Sequence, residues 1–164
     1  MESFVSAFVG GMAGALLMDA TEAFAARLGV TSGVNVALLG RWFLSLLGGR
    51  FTHKDIRECR PFKREAWAGW AFHLLVGGGG VALLYPLFFH GAGLPQPDND
   101  LLGGMIFGLV TSLLPWFLLL PSFGWGAFGL RGPAGTNALL ASPLSHIPYG
   151  LGVGVALAFA RHIG

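Results

Sequence analysis

The stretch WAGWAFHLLVGGGG, residues Trp67–Gly80, decides how this chain folds. It is apolar enough to enter a lipid bilayer, it directly follows a strongly basic loop, and it contains one titratable side chain, His73. On an α-helix, Gly69, His73 and Gly77 are spaced i, i+4 and i+8, so the histidine falls on a ridge of small residues where another helix can approach. The pattern predicts a membrane helix that carries a polar group on its packed face.

The composition is typical of a membrane protein. The 164 residues are 54% hydrophobic and 11% charged, whereas soluble domains carry about 25% charged residues. The net charge of +2 comes without a nucleic-acid-binding motif, because the basic residues cluster beside apolar segments. The single cysteine, Cys59, excludes a disulfide framework and a cysteine-based zinc site. We therefore expect a lipid bilayer, and no nucleic acid, as the partner.

Four segments are apolar and long enough to cross a bilayer, which takes about 20 helical residues. We predict an all-α integral membrane four-helix bundle, a single transmembrane domain over residues 1–164, with spans at about 4–28, 65–90, 101–121 and 142–161. Gly29 is expected to end the first span, and Ser142 with Pro143 to begin the last one. Pro115 removes a backbone donor inside the third span and predicts a kink there.

Residues 34–47, VNVALLGRWFLSLL, are apolar but too short to span. Arg41 and Trp42 in the middle of this segment predict an additional short helix that lies at the membrane interface or re-enters the bilayer to line a cavity. Asn35, Arg41 and Arg131 flank the inner mouth of the predicted bundle. They are candidate contacts for an anion or a lipid headgroup, or simply anchors at the basic side of the membrane.

The distribution of basic residues predicts the topology. Of the ten Lys and Arg residues, all except Arg161 fall on the side of loop 48–64 when the four spans are threaded through a bilayer. This bias predicts a multi-pass membrane protein, with loop 48–64 in the cytoplasm and both termini outside. His53, within this loop, is expected to face solvent.

Ionisable residues inside a membrane helix cost at least about 2.5–3.5 kcal/mol each, so each one is a candidate site. Asp19, His73 and His146 are predicted on three different helices in the inner half of the bilayer, each on a ridge of small residues, and Glu22 follows Asp19 at i+3. The ridges are Gly11–Ala15–Asp19, Gly69–His73–Gly77 and His146–Gly150–Gly154; Gly10–Gly14 and Gly104–Gly108–Ser112 form two more. These side chains predict a polar intramembrane site.

The residue types at this predicted site leave several chemistries open. Asp19, His73 and His146 could coordinate a metal ion, and the two histidines could ligate haem. The three residues could instead relay protons. A purely structural alternative pairs Asp19 with Arg41 or a histidine, while each imidazole bonds a backbone carbonyl. The sequence contains no HxxxH, HExxH or CxxC motif that would favour metal.

Several short motifs occur in order along nearly the whole chain: Met18-Asp19, Asn35, Gly40-Arg41-Trp42, His53, Gly69-Trp70 with His73, GLVTxxxP at 108–115, PSFGWG at 121–126, and His146. Together they resemble the bacterial membrane-protein family DUF2938. The chain departs from the family at Leu120-Pro121, where members more often have Gln, and at Leu130-Arg131-Gly132-Pro133, where they more often have Ser-Arg-x-Pro. The resemblance implies a four-span bacterial inner-membrane protein and no established activity.

Three functional interpretations remain open from the sequence. The first is a membrane protein that handles a small solute, an ion or protons through the polar site. The second is a metal- or haem-dependent membrane enzyme or electron carrier, and the third is a structural subunit of a membrane complex. A homo-oligomer or a place in a larger complex would suit each of them.

Overall fold

The computed structural model describes residues 2–163, and this part of the chain is helical with connecting turns. Four helices are long and apolar enough to cross a membrane, and a fifth is shorter. The helices are α1 (Glu2–Arg27), α2 (Val36–Leu47), α3 (Glu65–Ala92), α4 (Asp100–Ser122) and α5 (Asn137–Ile163). The predicted all-α class, with four long apolar helices and one short helix, is confirmed.

The end of α1 follows the prediction, whereas the start of α5 does not. Gly29 adopts a positive φ of 84°, and the amides of Gly29 and Val30 donate to the carbonyls of Ala26 and Ala25, which closes α1 with a Schellman motif. The prediction that α5 begins at Ser142 and Pro143 is wrong. This helix begins at Asn137 and continues through Pro143 and Pro148, since apolar surroundings offer its backbone no competing hydrogen-bond partners.

Two of the long helices contain π-helical segments. Residues Phe72–Gly80 of α3 form hydrogen bonds from i to i+5, so the α-helical spacing that predicted the Gly69–His73–Gly77 ridge does not apply beyond Ala71. Gly78 and Gly79 are buried in this segment, while Gly77 is only partly buried. In α4, a second π-helical segment, Pro115–Leu119, begins at the proline where the sequence predicts a kink.

The chain forms two compact units. Unit 1 comprises the N-terminal part up to Thr21, Leu74–Thr111 and the part from Pro143 onward. Unit 2 comprises Glu22–His73 and Ser112–Ser142. The single transmembrane domain over 1–164 stays a prediction.

Unit 1 is held together by backbone contacts at glycines. Gly104 and Gly108 of α4 lie against Gly150, Gly154 and the carbonyl of His146 on α5, so closely that a Cβ atom on either α4 glycine would clash with backbone. Gly10 and Gly14 of α1 meet α5 in the same way, and Gly11 meets Gly78 of α3. The ridges predicted on α1, α4 and α5 are therefore helix interfaces, as is typical of helices in lipid. A buried apolar cluster fills the remaining space: Ala7, Ala82, Tyr85, Tyr149, Val153 and Leu157.

Unit 2 packs α2 against the beginning of α3. A Cβ at Gly40 would clash with the carbonyl of Glu65, and a Cβ at Gly69 would clash with that of Val36. The buried apolar cluster of this unit joins α2, loop 48–64 and the segment around the end of α4: Leu38, Leu39, Trp42, Ile56, Leu120, Phe123 and Trp125. Whether α2 lies at the interface or re-enters the bilayer stays a prediction.

Substitution of Gly108 by Ala tests the glycine contacts of unit 1. The added methyl group meets backbone atoms that cannot move independently, so we expect Gly108→Ala to lower the free energy of unfolding by about 1–3 kcal/mol. Gly91→Ala is the matched control, because a Cβ at Gly91 meets nothing within 4 Å. It should leave stability unchanged or slightly raised. Unfolding of the purified protein in detergent measures both, and equal effects would contradict the packing described.

Candidate functional site

The titratable residues predicted inside the spans are less exposed than large apolar residues near them in the sequence. Asp19 and Glu22 of α1, His73 of α3 and His146 of α5 are all half-buried, and each takes part in a polar, ring or electrostatic interaction. Large apolar residues close to them in sequence are exposed: Leu16, Leu17, Leu75, Val76 and Leu144. Asp19 and His146 belong to unit 1, and Glu22 and His73 belong to unit 2. Their convergence at one site stays a prediction.

His146 lies in a polar and aromatic environment within unit 1. Its Nδ1 atom is 3.4 Å from the hydroxyl oxygen of Ser145, and its ring packs edge-on to that of Tyr149, with 6.1 Å between ring centroids. Tyr149 is itself fixed, because its hydroxyl donates a 2.8 Å hydrogen bond to the carbonyl of Gly78 in the π-helical segment of α3. His146 and Tyr149 are spaced i, i+3 on α5, so their rings lie side by side. The imidazole therefore contacts a tyrosine that is hydrogen-bonded to α3.

Asp19 extends a packed face of α1. Gly11 and Ala15 are buried against Gly78 of α3, and Asp19 follows one helical turn later on the same face. The carboxylate therefore lies in line with a helix interface. This agrees with its half-buried side chain.

His73 occupies the second position of the π-helical segment of α3. Its ring packs edge-on to that of Trp70, three residues earlier, with 6.0 Å between ring centroids. Segments of π-helix are rare in proteins, but those that occur are often found at functional sites. They widen the helix and reorient the side chains that follow. His73 is the titratable residue of α3 that this widening affects most directly.

A metal centre receives no support from the geometry of the described residues. Among residues 2–163, no three His, Cys, Asp or Glu side chains are grouped to hold a metal ion. The metal site of Asp19, His73 and His146 stays a prediction from sequence. Haem ligation by His73 and His146 needs only two imidazoles, and it also stays a prediction.

Arg41 forms the central ion pair of unit 2. Its Nε and Nη2 atoms donate to the two carboxylate oxygens of Glu65 at 2.9 and 2.8 Å, while Nη1 donates to the carbonyls of Ile56 and Cys59 at 3.2 and 3.1 Å. Arg41 is buried and bound to Glu65. The structural alternative in which Arg41 pairs with Asp19 is therefore wrong. The bidentate geometry makes the Arg41–Glu65 pair strong and joins α2 to the start of α3. The hydrogen bonds from Nη1 tie loop 48–64 to α2.

The other two candidate headgroup contacts differ in exposure and role. Asn35 caps α2, since its side-chain oxygen accepts a 2.9 Å hydrogen bond from the amide of Leu38. Arg131 is exposed and lies beside Gly126. A role for Arg41, Arg131 and Asn35 in binding an anion or headgroup stays a prediction.

His53 does not face solvent, which corrects the expectation from sequence. It is buried, its amide donates to the carbonyl of Ser122 at 2.8 Å, and its Nδ1 atom lies 3.3 Å from the same oxygen. Loop 48–64 folds onto the segment after α4, where Gly124 has a positive φ of 89° and lies against the carbonyl of Lys54. The contact joins residues 69 positions apart, which no local pattern reveals.

Asp55 is a structural residue that the sequence reading missed. Its carboxylate accepts hydrogen bonds from the guanidinium of Arg57, the shortest at 2.6 Å, and from the indole nitrogen of Trp125 at 3.2 Å. The guanidinium also lies 5.6 Å from the centre of the Trp125 ring. These hydrogen bonds, those of Arg57 above all, hold the pKa of Asp55 well below its usual range.

The family comparison agrees with the order of these motifs. The sequence model described as "Protein of unknown function (DUF2938)" matches residues 8–159. The chain belongs to the DUF2938 family. No curated protein matches this DUF2938 chain, and no solved structure matches it.

Replacing Arg41 tests the ion pair of unit 2. Arg41→Met removes the guanidinium that donates to the Glu65 carboxylate and to three loop carbonyls, so we expect a loss of about 3–5 kcal/mol in the free energy of unfolding. Trypsin should also cut loop 48–64 faster, at the exposed Arg57. Arg50→Met, at an exposed position of the same loop, should change stability by less than about 0.5 kcal/mol. If the two variants had similar stability and similar trypsin cleavage rates, Arg41 would not hold loop 48–64 in place.

The depressed pKa of Asp55 predicts a dependence of stability on pH. The pKa of Asp55 is lower in the folded than in the unfolded state. Its carboxylate therefore stabilises the folded protein at pH values above the unfolded-state pKa, which is near 3.9. This contribution is lost as the pH falls through the lower pKa of the folded state. Thermal unfolding followed from pH 7 down to about pH 2 should therefore show a loss of stability in acid, and this loss should be smaller in Asp55→Asn. The variant should also be less stable than the wild type at pH 7. An identical acid profile for both proteins would show that Asp55 makes no such contribution.

Proposed function

We propose that the protein handles protons, or an ion or small solute together with protons, in the membrane, and that Asp19, His73 and His146 are its proton-binding groups. The observation that carries this proposal is the half-burial of these side chains in helices whose neighbouring apolar side chains are exposed. Ionisable residues in membrane helices face the protein interior and mark proton or ion pathways. Imidazoles change charge between about pH 5 and 8, which suits them to passing protons.

Buried hydroxyl groups add further polar atoms to the long helices. Thr111 and Ser112 of α4 and Ser142 and Ser145 of α5 are each at most 5% exposed. The Ser145 hydroxyl lies next to the imidazole of His146. Hydroxyl groups can both donate and accept hydrogen bonds, so these side chains are chemically suited to contact protons or a small polar solute.

The proposed setting is the bacterial inner membrane. Nine of the ten Lys and Arg residues would then lie in the cytoplasm, together with loop 48–64, and both termini would lie outside. Association into a homo-oligomer or with other membrane subunits belongs to the same proposal.

Proton flux in proteoliposomes tests the proposed function. With a potassium gradient, valinomycin and a pH-sensitive dye inside the vesicles, wild-type protein should acidify or alkalise the lumen faster than empty vesicles do. Asp19→Asn, His73→Gln and His146→Gln should each reduce the flux towards the level of empty vesicles. His90→Gln, at an exposed position near the end of α3, is the matched control and should retain the wild-type flux.

Two outcomes would contradict the proposal. Wild-type flux equal to that of empty vesicles, with and without candidate small solutes, would exclude proton handling and favour a structural subunit. A Soret band in the purified protein that is lost in both histidine variants would support haem ligation instead. Folding of each variant is checked by its elution volume and circular dichroism in detergent.

A further inference from the structure

Two carboxylates in and beside loop 48–64, those of Asp55 and Glu65, are held in ion pairs. Glu65 is bound to Arg41, and Asp55 is bound to Arg57 and Trp125. Ile56, between them, is fully buried. These contacts hold the loop against unit 2 and neutralise two of the negative charges closest to it.

The outward side of the same loop is strongly cationic. Five basic side chains are exposed and make no ion pair with any residue in the described part of the chain: Arg50, Lys54, Arg60, Lys63 and Arg64. The loop has one exposed carboxylate, that of Glu58. The fold therefore pairs Asp55 and Glu65 with arginines and leaves five cations exposed, which creates a surface that attracts anions.

Exposed aromatic side chains accompany these cations. Phe51 and Phe62 are 40% and 44% exposed, and Trp67, in the first turn of α3, is 77% exposed. Aromatic side chains at the ends of membrane helices lie at the level of the lipid headgroups. We name the five cations together with Phe51, Phe62 and Trp67 the loop surface.

The junction between the loop and α3 fixes the position of the loop surface. Arg64 adopts a left-handed backbone conformation with φ of 66°, which is unfavourable for a residue with a side chain. The amide of Phe62 donates a 3.0 Å hydrogen bond to the Glu65 carboxylate, which stabilises this turn. Lys63 and Arg64 are thereby held immediately before a helix that is long and apolar enough to span.

We propose that the loop surface binds the anionic headgroups of phospholipids such as phosphatidylglycerol. The cations match the headgroup charge, and the exposed aromatic rings match the apolar layer immediately beneath the headgroups. Continuity with α3 selects lipid over a nucleic acid or an acidic protein, because the surface begins within one turn of a candidate membrane span. This binding site is separate from the titratable residues proposed to handle protons, and it does not depend on them.

Lipid binding by the purified full-length protein tests this inference. The protein in neutral detergent is mixed with phosphatidylglycerol or with phosphatidylcholine of the same acyl chains, and bound lipids are counted by native mass spectrometry. We expect phosphatidylglycerol to bind preferentially and to raise the melting temperature more than phosphatidylcholine does. The preference should weaken when the salt concentration is raised from about 0.05 to about 0.5 M, because salt screens the charges.

Two variants assign the preference to the loop surface. Arg50→Gln/Arg60→Gln/Lys63→Gln should lower the relative affinity for phosphatidylglycerol by about two- to fivefold for each cation removed. Glu58→Gln, on the same surface, should raise it, since it removes the one exposed negative charge of the loop. Arg64 is not substituted, because it has an unusual backbone conformation and a change there would affect folding as well as binding.

Three results would overturn the inference. The first is equal binding of the two lipids by the wild-type protein at low salt, which needs no variant. The second is a folded triple variant with an unchanged preference for phosphatidylglycerol. The third is tighter binding of a short DNA duplex than of phosphatidylglycerol, which would assign the loop surface to nucleic acid.

Discussion

In hydrocarbon, every polar group must find its partner within the protein, and this constraint explains most features of the structure. It explains why long helices meet at glycines, where backbones approach closely and dispersion contacts replace the missing hydrophobic driving force. It also explains why α5 continues through Pro143 and Pro148. The same constraint makes the half-buried positions of Asp19, His73 and His146 informative, because a titratable side chain inside an apolar helix needs a structural or functional reason to be there.

The two units satisfy this constraint by different means. Unit 1 has small residues at its interfaces and few charges, so its helices touch through backbone atoms, as Gly108 does against the carbonyl of His146. Unit 2 contains loop 48–64, whose carbonyls at Ile56 and Cys59 accept hydrogen bonds from side-chain donors. Arg41 supplies them and is held in place by Glu65, while Asp55 and Trp125 secure the outer part of the loop.

The sequence predicted those parts of the structure that depend on local pattern. The four long apolar helices, the short helix predicted at 34–47, the stop at Gly29 and the glycine ridges of α1, α4 and α5 follow from hydropathy, length and residue spacing. The predicted start of α5 was wrong. Ser142-Pro143 has the residue types of a helix N-cap and first turn, but a helix in apolar surroundings can continue through proline. The burial of His53 and the partner of Arg41 could not be predicted, because each depends on contacts between distant parts of the chain.

The central claim is that the titratable side chains of the spans face away from lipid. Spin labels on single cysteines, in a Cys59→Ser background reconstituted into bilayers, measure this directly through their collision rates with oxygen, which concentrates in lipid. Labels at Leu16, Leu75 and Leu144 should collide with oxygen frequently, whereas labels at Asp19, His73 and His146 should be protected. Equal oxygen accessibility at the two sets of positions would contradict the account.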